Sequence, residues 1–451
     1  MGKFTELIFH PSELRAIIQY KVFPPVLYPR DPSVESPTLQ RCYELLNLTS
    51  RSFAAVIQQL HPELRDAVSL FYIILRGLDT IEDDMTISTE KKIPLLRTFD
   101  QVLEKPGWTF TESGPNEKDR IVLVEFDKVI EEYQKLKPEY KQVISDITHK
   151  MGNGMADYAI DEQFHRDGLE TIKDYDLYCY YVAGLVGNGL TKMATLSKFG
   201  TSVLEEKPEL QNSMGLFLQK TNIIRDFRED LDDNRSFYPK ELWGKHISSL
   251  KLLADRANAE TGTHVITEMT INALEHVEHV LEYLDNVSEP SLYRFCAIPQ
   301  VMAIATLELV FNNKEVFQRN LKIRKGLAVK LIMESQTRTG VYNIFKEYVQ
   351  KIHLKNTPKD PNYLKLEILC GRIEQVIEQH RPRTEEEVQK KEEEERLGTK
   401  DTLLLFGAAG GAALGTCVLM LFIAWLNGAQ FNFSPKELIP VAQKGYFGSD
   451  L

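Results

Sequence analysis

Leu64-Arg65-Asp66-Ala67-Val68-Ser69-Leu70-Phe71-Tyr72-Ile73-Ile74-Leu75-Arg76-Gly77-Leu78-Asp79-Thr80-Ile81-Glu82-Asp83-Asp84 decides how this chain is read. It begins as an unbroken apolar run of helical character and ends in a crowd of carboxylates. On a helix, Asp79 and Asp83 stand four residues apart and Glu82 three from Asp79, so the three share a face. Like charges that close destabilise a bare helix, and something cationic is expected to hold them. The pattern returns in Asn222-Ile223-Ile224-Arg225-Asp226-Phe227-Arg228-Glu229-Asp230, where Asp226, Glu229 and Asp230 repeat the spacing. Two such faces set opposite each other make an oxygen-only cage. That suits Mg²⁺, which takes one or two carboxylates and completes its octahedron with water and substrate phosphate. Either cluster alone reads as a solvated, cation-balanced helix face. Their repetition, each interrupting an apolar helix, favours the metal.

Working outward, the 451 residues are 43% hydrophobic and 26% charged, a globular composition with room for one large domain or up to about three ordinary ones. A net charge of −11 argues against a nucleic-acid surface, which needs a basic stripe. Cys42, Cys179, Cys296, Cys370 and Cys417 are scattered without metal spacing and read as reduced thiols in the cytosol. The opening residues carry no apolar run of a secretory signal, and Glu6 stands where N-myristoylation needs Ser or Thr.

Apolar residues recur at three and four almost throughout, with no sustained strand alternation, so the fold is expected to be all-α. Pro24, Pro25, Pro29, Pro32 and Pro37 mark residues 1–38 as an extended arm. A helical catalytic domain is expected over 39–380 and a Glu-rich charged linker over 381–401. Residues 402–426 contain no charged side chain. As a helix they would reach about 38 Å against about 30 Å of hydrocarbon, so they read as a transmembrane helix, followed by a short tail over 427–451. Gly407, Gly411 and Gly415 have helix-pairing spacing there, although small residues are common in such spans.

Further stretches accompany the acidic ones. Thr49-Ser50-Arg51-Ser52-Phe53 places a cation and hydroxyls near a helix start, and Arg76 precedes Asp79 on the same face. Tyr178-Cys179-Tyr180-Tyr181-Val182-Ala183-Gly184-Leu185-Val186-Gly187 joins tyrosines to a small-residue helix. Met214-Gly215-Leu216-Phe217-Leu218-Gln219-Lys220-Thr221 leads into the second acidic cluster, and Lys322-Ile323-Arg324-Lys325-Gly326 is a compact basic loop. Together, and over essentially the whole chain, these resemble the squalene-forming branch of the squalene/phytoene synthase family.

The resemblance implies a single large prenyl-synthase-like helical bundle around a central cavity. It implies head-to-head condensation of two farnesyl diphosphates to presqualene diphosphate, then NADPH-dependent reductive rearrangement to squalene. By that likeness Asp79, Glu82, Asp83, Asp226 and Asp230 hold Mg²⁺, and Tyr178 is the catalytic tyrosine of the first half-reaction. Arg51, Arg76, Lys322 and Arg324 meet the diphosphates or the NADPH phosphates. Ser50, Phe53, Tyr72, Gln219, Asn222, Arg225 and Phe295 contact substrate; plain core packing is the competing role for Phe53, Tyr72, Phe217 and Phe295. No GxGxxG follows a strand, and Gly184-Leu185-Val186-Gly187-Asn188-Gly189 has its glycines in the wrong order, which suits close helix packing instead. The expected setting is a monomer in the endoplasmic-reticulum membrane, held by its C-terminal helix with the body facing the cytosol. Two rivals remain: a phytoene- or dehydrosqualene-type synthase without reduction, and a tail-anchored helical scaffold without chemistry.

Overall fold

The computed structural model describes residues 10–161, 164, 168–233 and 235–380, without the side chains of Arg51 and Ser52. The first nine residues of the expected arm, and the expected linker, transmembrane helix and tail, lie outside the described residues. Among those described there is no β-strand, only one isolated bridge between Gly200 and Val287, so the fold is all-α.

The arm is not extended throughout. Residues Pro11–Val22 form a helix, α1, which packs on a helix at Lys325–Glu334. Pro11 sits in its first turn, where a missing N–H costs nothing, and Glu13 favours the positive helix start. The proline-rich stretch that suggested an extended arm begins only after α1 has ended. The described residues through His380 belong to one compact unit, so the arm is part of the body.

Helix α2 (Pro37–Thr49) and the short α3 (Arg51–Ile57) lead into α4 (Pro62–Asp83). Pro62 starts α4, and His61 caps it by accepting from the Glu63 N–H at 3.1 Å. Leu64, Val68, Phe71, Leu75 and Leu78 are buried at helical spacing, whereas the last turn is polar. Asp84 stops the helix by accepting hydrogen bonds from the N–H of Thr86 (2.8 Å), the hydroxyl of Thr86 (2.6 Å) and the N–H of Gly114 (2.8 Å). Burial opposes ionisation of Asp84, but these bonds hold its carboxyl below the usual range. It is a structural clamp.

Across α4 lies α5 (Pro138–Ile160). The tyrosine stretch forms α6 (Ile172–Cys179), a π-helical turn at Tyr180–Gly184, and α7 (Leu185–Leu196). The π turn and α7 pack on α8 (Pro208–Arg225), which also meets α9 (Val277–Asp285) and α10 (Pro290–Val310). Among the described residues α10 alone is long and apolar enough to cross a membrane, but it is mostly buried as a core helix.

Contact between the π turn and α8 is backbone on backbone. A Cβ on Gly215 would lie 2.2 Å from the carbonyl oxygen of Ala183, and one on Gly187 2.4 Å from that of Gln211. These glycines serve close packing, as their order in the sequence suggests. Gly215→Ala is expected to cost about 1–3 kcal/mol through forced separation of the two helices. Thermal unfolding of the purified variant beside the parent measures this, and an unchanged midpoint would contradict the packing account.

Candidate active site

Helices α4 and α8 run alongside one apolar cavity and carry the two acidic clusters at their C-terminal ends. The cavity holds about 310 Å³ and is lined by Phe71, Tyr72, Leu75, Val186, Leu218 and Phe295, among others. Arg76, Asp79, Gln219 and Asn222 supply polar groups to the same lining. The structure therefore brings the end of α4 and the end of α8 to one hollow.

Helix α8 breaks at Asp226, after which a short helix over Phe227–Asp232 carries Glu229 and Asp230. The Asp230 N–H still donates to the Asp226 carbonyl at 3.0 Å, so the two acids remain one turn apart. Between the two clusters stands Arg235, with one guanidinium nitrogen 3.5 Å from Asp83 and another 3.5 Å from Asp230. Arg76 lies 3.5 Å from Asp79, and Arg225 grips Asp226 through two contacts of 2.8 and 2.5 Å. Asn320 donates to Asp226 at 2.6 Å, and the Lys92 ammonium donates to the Glu82 carbonyl at 2.6 Å.

These cations do not neutralise the acids fully. Burial pushes Asp79 up to about 7 against the pull of Arg76, with Asp83 adding repulsion. Burial also lifts Asp230 to about 7 against Arg235, and Asp226 adds to it. Glu82 is raised by burial and by the charges of Asp83 and Asp79. No group of three or more His, Cys, Asp or Glu side chains among the described residues closes on a single ion. What exists is two facing walls of hard oxygen donors with too little positive charge. That donor set fits Mg²⁺ bound by one or two carboxylates per ion, with water and diphosphate oxygens completing each shell. Asp79, Glu82 and Asp83 on one wall, and Asp226 and Asp230 on the other, are the residues able to hold it.

Tyr178 is not among the cavity-lining residues. Its ring stacks on Phe237 (centroids 4.9 Å) and meets Tyr158 edge-on (5.2 Å), while Arg235 lies 5.9 Å from the Phe237 ring. Burial first, then the charges of Glu82, Cys179 and Asp230, raise its phenol well above the ordinary value. Acids from both walls thus act on one buried tyrosine. Beneath it, Lys220 is 1% exposed and pairs with Asp176 at 2.6 Å, fastening α6 to α8. Its ammonium also donates to Nε2 of His276 at 2.8 Å. Burial, then the Lys220 charge, keeps that imidazole neutral well below its ordinary pKa.

Other expected residues fall in different places. Phe53 and Phe295 line the central cavity and also a second apolar cavity of about 370 Å³; Pro299, within α10, is common to both. Tyr72 lies 6.0 Å from Phe53 and accepts from Arg76 at 3.4 Å. Phe217 is fully buried and packs on Phe345 (6.2 Å), so it belongs to the core. Ser50 caps α3 by accepting from the Phe53 N–H at 3.2 Å, and Arg225 is engaged by Asp226. The Arg51 side chain lies outside the described residues. Lys322 and Arg324 line a separate polar cavity of about 450 Å³ with Arg319, Lys330 and Lys351, where Arg324 pairs with Glu13 of α1 at 2.5 Å. Arg235, Lys92 and Asn320 were not anticipated from sequence. Arg235 offers one signal in retrospect, a lone cation just after an acidic turn.

Known proteins resemble this chain over most of its length. A family model described as squalene/phytoene synthase matches residues 46–326. A squalene synthase of Yarrowia lipolytica is 52% identical over 445 residues, 97% of this chain and 98% of the relative. A squalene synthase of Saccharomyces cerevisiae is 52% identical over 379 residues, 84% of this chain and 85% of the relative. A solved structure described as the complex of TcSQS with the ligand BPH1237 aligns with a TM-score of 0.73 and 40% identity, covering 77% of this chain and all of the other. The cavity, the two acidic walls and these likenesses lead to one conclusion: the chain belongs to the squalene/phytoene synthase family.

Proposed function

We propose that this chain is a squalene synthase. It would condense two farnesyl diphosphates head to head to presqualene diphosphate and reduce that intermediate to squalene. The observation that carries the reading is the pair of acidic helix ends, bridged by Arg235, at the polar end of an apolar cavity.

Bound Mg²⁺ supplies Lewis-acid stabilisation of the departing diphosphate. The walls of Asp79, Glu82, Asp83, Asp226 and Asp230 hold the ions in place, and Arg76 adds fixed positive charge beside Asp79. Groups aimed where negative charge grows stabilise the transition state more than the ground state. Phe71, Leu75, Val186 and Leu218 exclude water, which would otherwise quench the allylic cation. Aromatic faces at Tyr72 and Phe295 attract that cation. Tyr178 keeps its proton at Oη in these surroundings, and in this reading it is the group that moves a proton in the first half-reaction.

The reductive step rests on the basic loop. NADPH is the hydride donor in this reading, and Lys322 and Arg324 are suited to its phosphates. A charge-assisted hydrogen bond is worth about 1.5–3 kcal/mol. Lys322→Ala and Arg324→Ala should therefore each raise the KM for NADPH roughly 10- to 100-fold, with presqualene diphosphate accumulating and condensation continuing. Normal squalene yield from both variants at low NADPH would remove the loop from the cofactor site.

We further propose that 402–426 anchors the chain in the endoplasmic-reticulum membrane with the body in the cytosol. The test of the whole reading is incubation with farnesyl diphosphate and Mg²⁺, with and without NADPH. Squalene only in its presence supports the proposal. A product indifferent to NADPH points to a phytoene- or dehydrosqualene-type enzyme, and no turnover would mean a scaffold.

A further inference from the structure

The arm carries a surface that the reaction does not use. In a chain of net charge −11, residues 14–30 read Leu-Arg-Ala-Ile-Ile-Gln-Tyr-Lys-Val-Phe-Pro-Pro-Val-Leu-Tyr-Pro-Arg, with three cations and no carboxylate. Five of its apolar side chains face outward: Phe23 is 74% exposed and Val22 59%, with Ile18, Val26 and Leu27 also exposed. Arg15 and Lys21 are exposed among them, whereas Arg30 is paired with Glu35 at 2.8 Å. Arg294 pins the stretch to the body by donating to the Pro25 carbonyl at 3.1 Å.

This surface sits at an opening. Tyr20, Pro25 and Leu27 line the second apolar cavity, which shares Phe53, Phe295 and Pro299 with the reaction cavity. The two cavities therefore adjoin across Phe53, Phe295 and Pro299, and the second reaches the exposed stretch. Cations set among exposed aliphatic and aromatic side chains are the composition of a segment lying in an anionic lipid interface. We propose that residues 14–30 dock on an anionic bilayer surface and that squalene passes through the second cavity directly into lipid. A hydrocarbon delivered this way never exposes its area to water. The proposal rests on the reading above, a membrane-anchored enzyme with an apolar product.

The experiment uses the full chain in vesicles of phosphatidylcholine and phosphatidylserine, with a photo-reactive benzoylphenylalanine at Phe23 or at Met85. Met85 is 88% exposed beside Asp84, at the acidic end. Irradiation should give a lipid adduct from position 23 and none from position 85. A Val22→Glu/Phe23→Glu double variant should lose about tenfold in squalene turnover in vesicles while keeping its rate in detergent micelles. An adduct to protein at position 23, equal adducts at both positions, or equal loss of rate in vesicles and micelles would overturn the docking surface. Failure to float with vesicles, or to form squalene at all, would instead overturn the anchored-synthase reading.

Discussion

Asp79→Asn is expected to slow presqualene diphosphate formation about a thousandfold, a loss of about 4 kcal/mol of transition-state stabilisation. Asn keeps the shape and one oxygen but removes the charge from the wall nearest the apolar lining. Burial already raises Asp79 to about 7, and Arg76 at 3.5 Å is the close cationic neighbour that favours its charge. Taking the carboxylate away leaves Arg76 less restrained and the metal site short of a donor. The fold should survive, because Asp84, not Asp79, makes the bonds that end the helix. The measurement is condensation rate against Mg²⁺ concentration, with thermal unfolding as the control. A variant that condenses normally under saturating Mg²⁺ would remove Asp79 from the metal site.

Tyr178→Phe should be nearly as damaging, roughly 10²- to 10⁴-fold in the first half-reaction. The ring stays, so stacking on Phe237 and the edge contact with Tyr158 persist. Only the Oη hydroxyl is lost. Binding of farnesyl diphosphate should hardly change, so the effect belongs in kcat and not in KM. Presqualene diphosphate supplied directly should still be reduced to squalene. A variant that condenses at the parental rate, or one blocked equally in both half-reactions, would contradict the role given to this phenol.

Much of the architecture was legible because helical periodicity is local. The apolar run ahead of Asp79, the acidic spacing and the small-residue helix after Tyr178 are all patterns within a few turns. Repetition of the acidic spacing suggests that the two walls face each other, but nothing local points to the cation between them. Arg235 reaches an acid 152 residues away, a separation that no local pattern encodes. Asn320 on Asp226 is missed for the same reason. The π turn at Tyr180–Gly184 depends on how closely α8 approaches, which the glycines only hint at. Helix α1 is hard to see in the sequence because five prolines follow it within residues 24–37. Lys322 and Arg324 stand out in the sequence as a compact basic loop, but their place in a separate polar cavity depends on packing by α1.

Arg235 has a consequence for assembly. Five carboxylates held at one mouth would push each other apart if they were left to themselves, yet one guanidinium straddles the divide and lets both sides settle near their working positions. The chain can thus take shape before any ion or substrate arrives. What an arriving pyrophosphate with its ions meets across the divide is one guanidinium shared by Asp83 and Asp230.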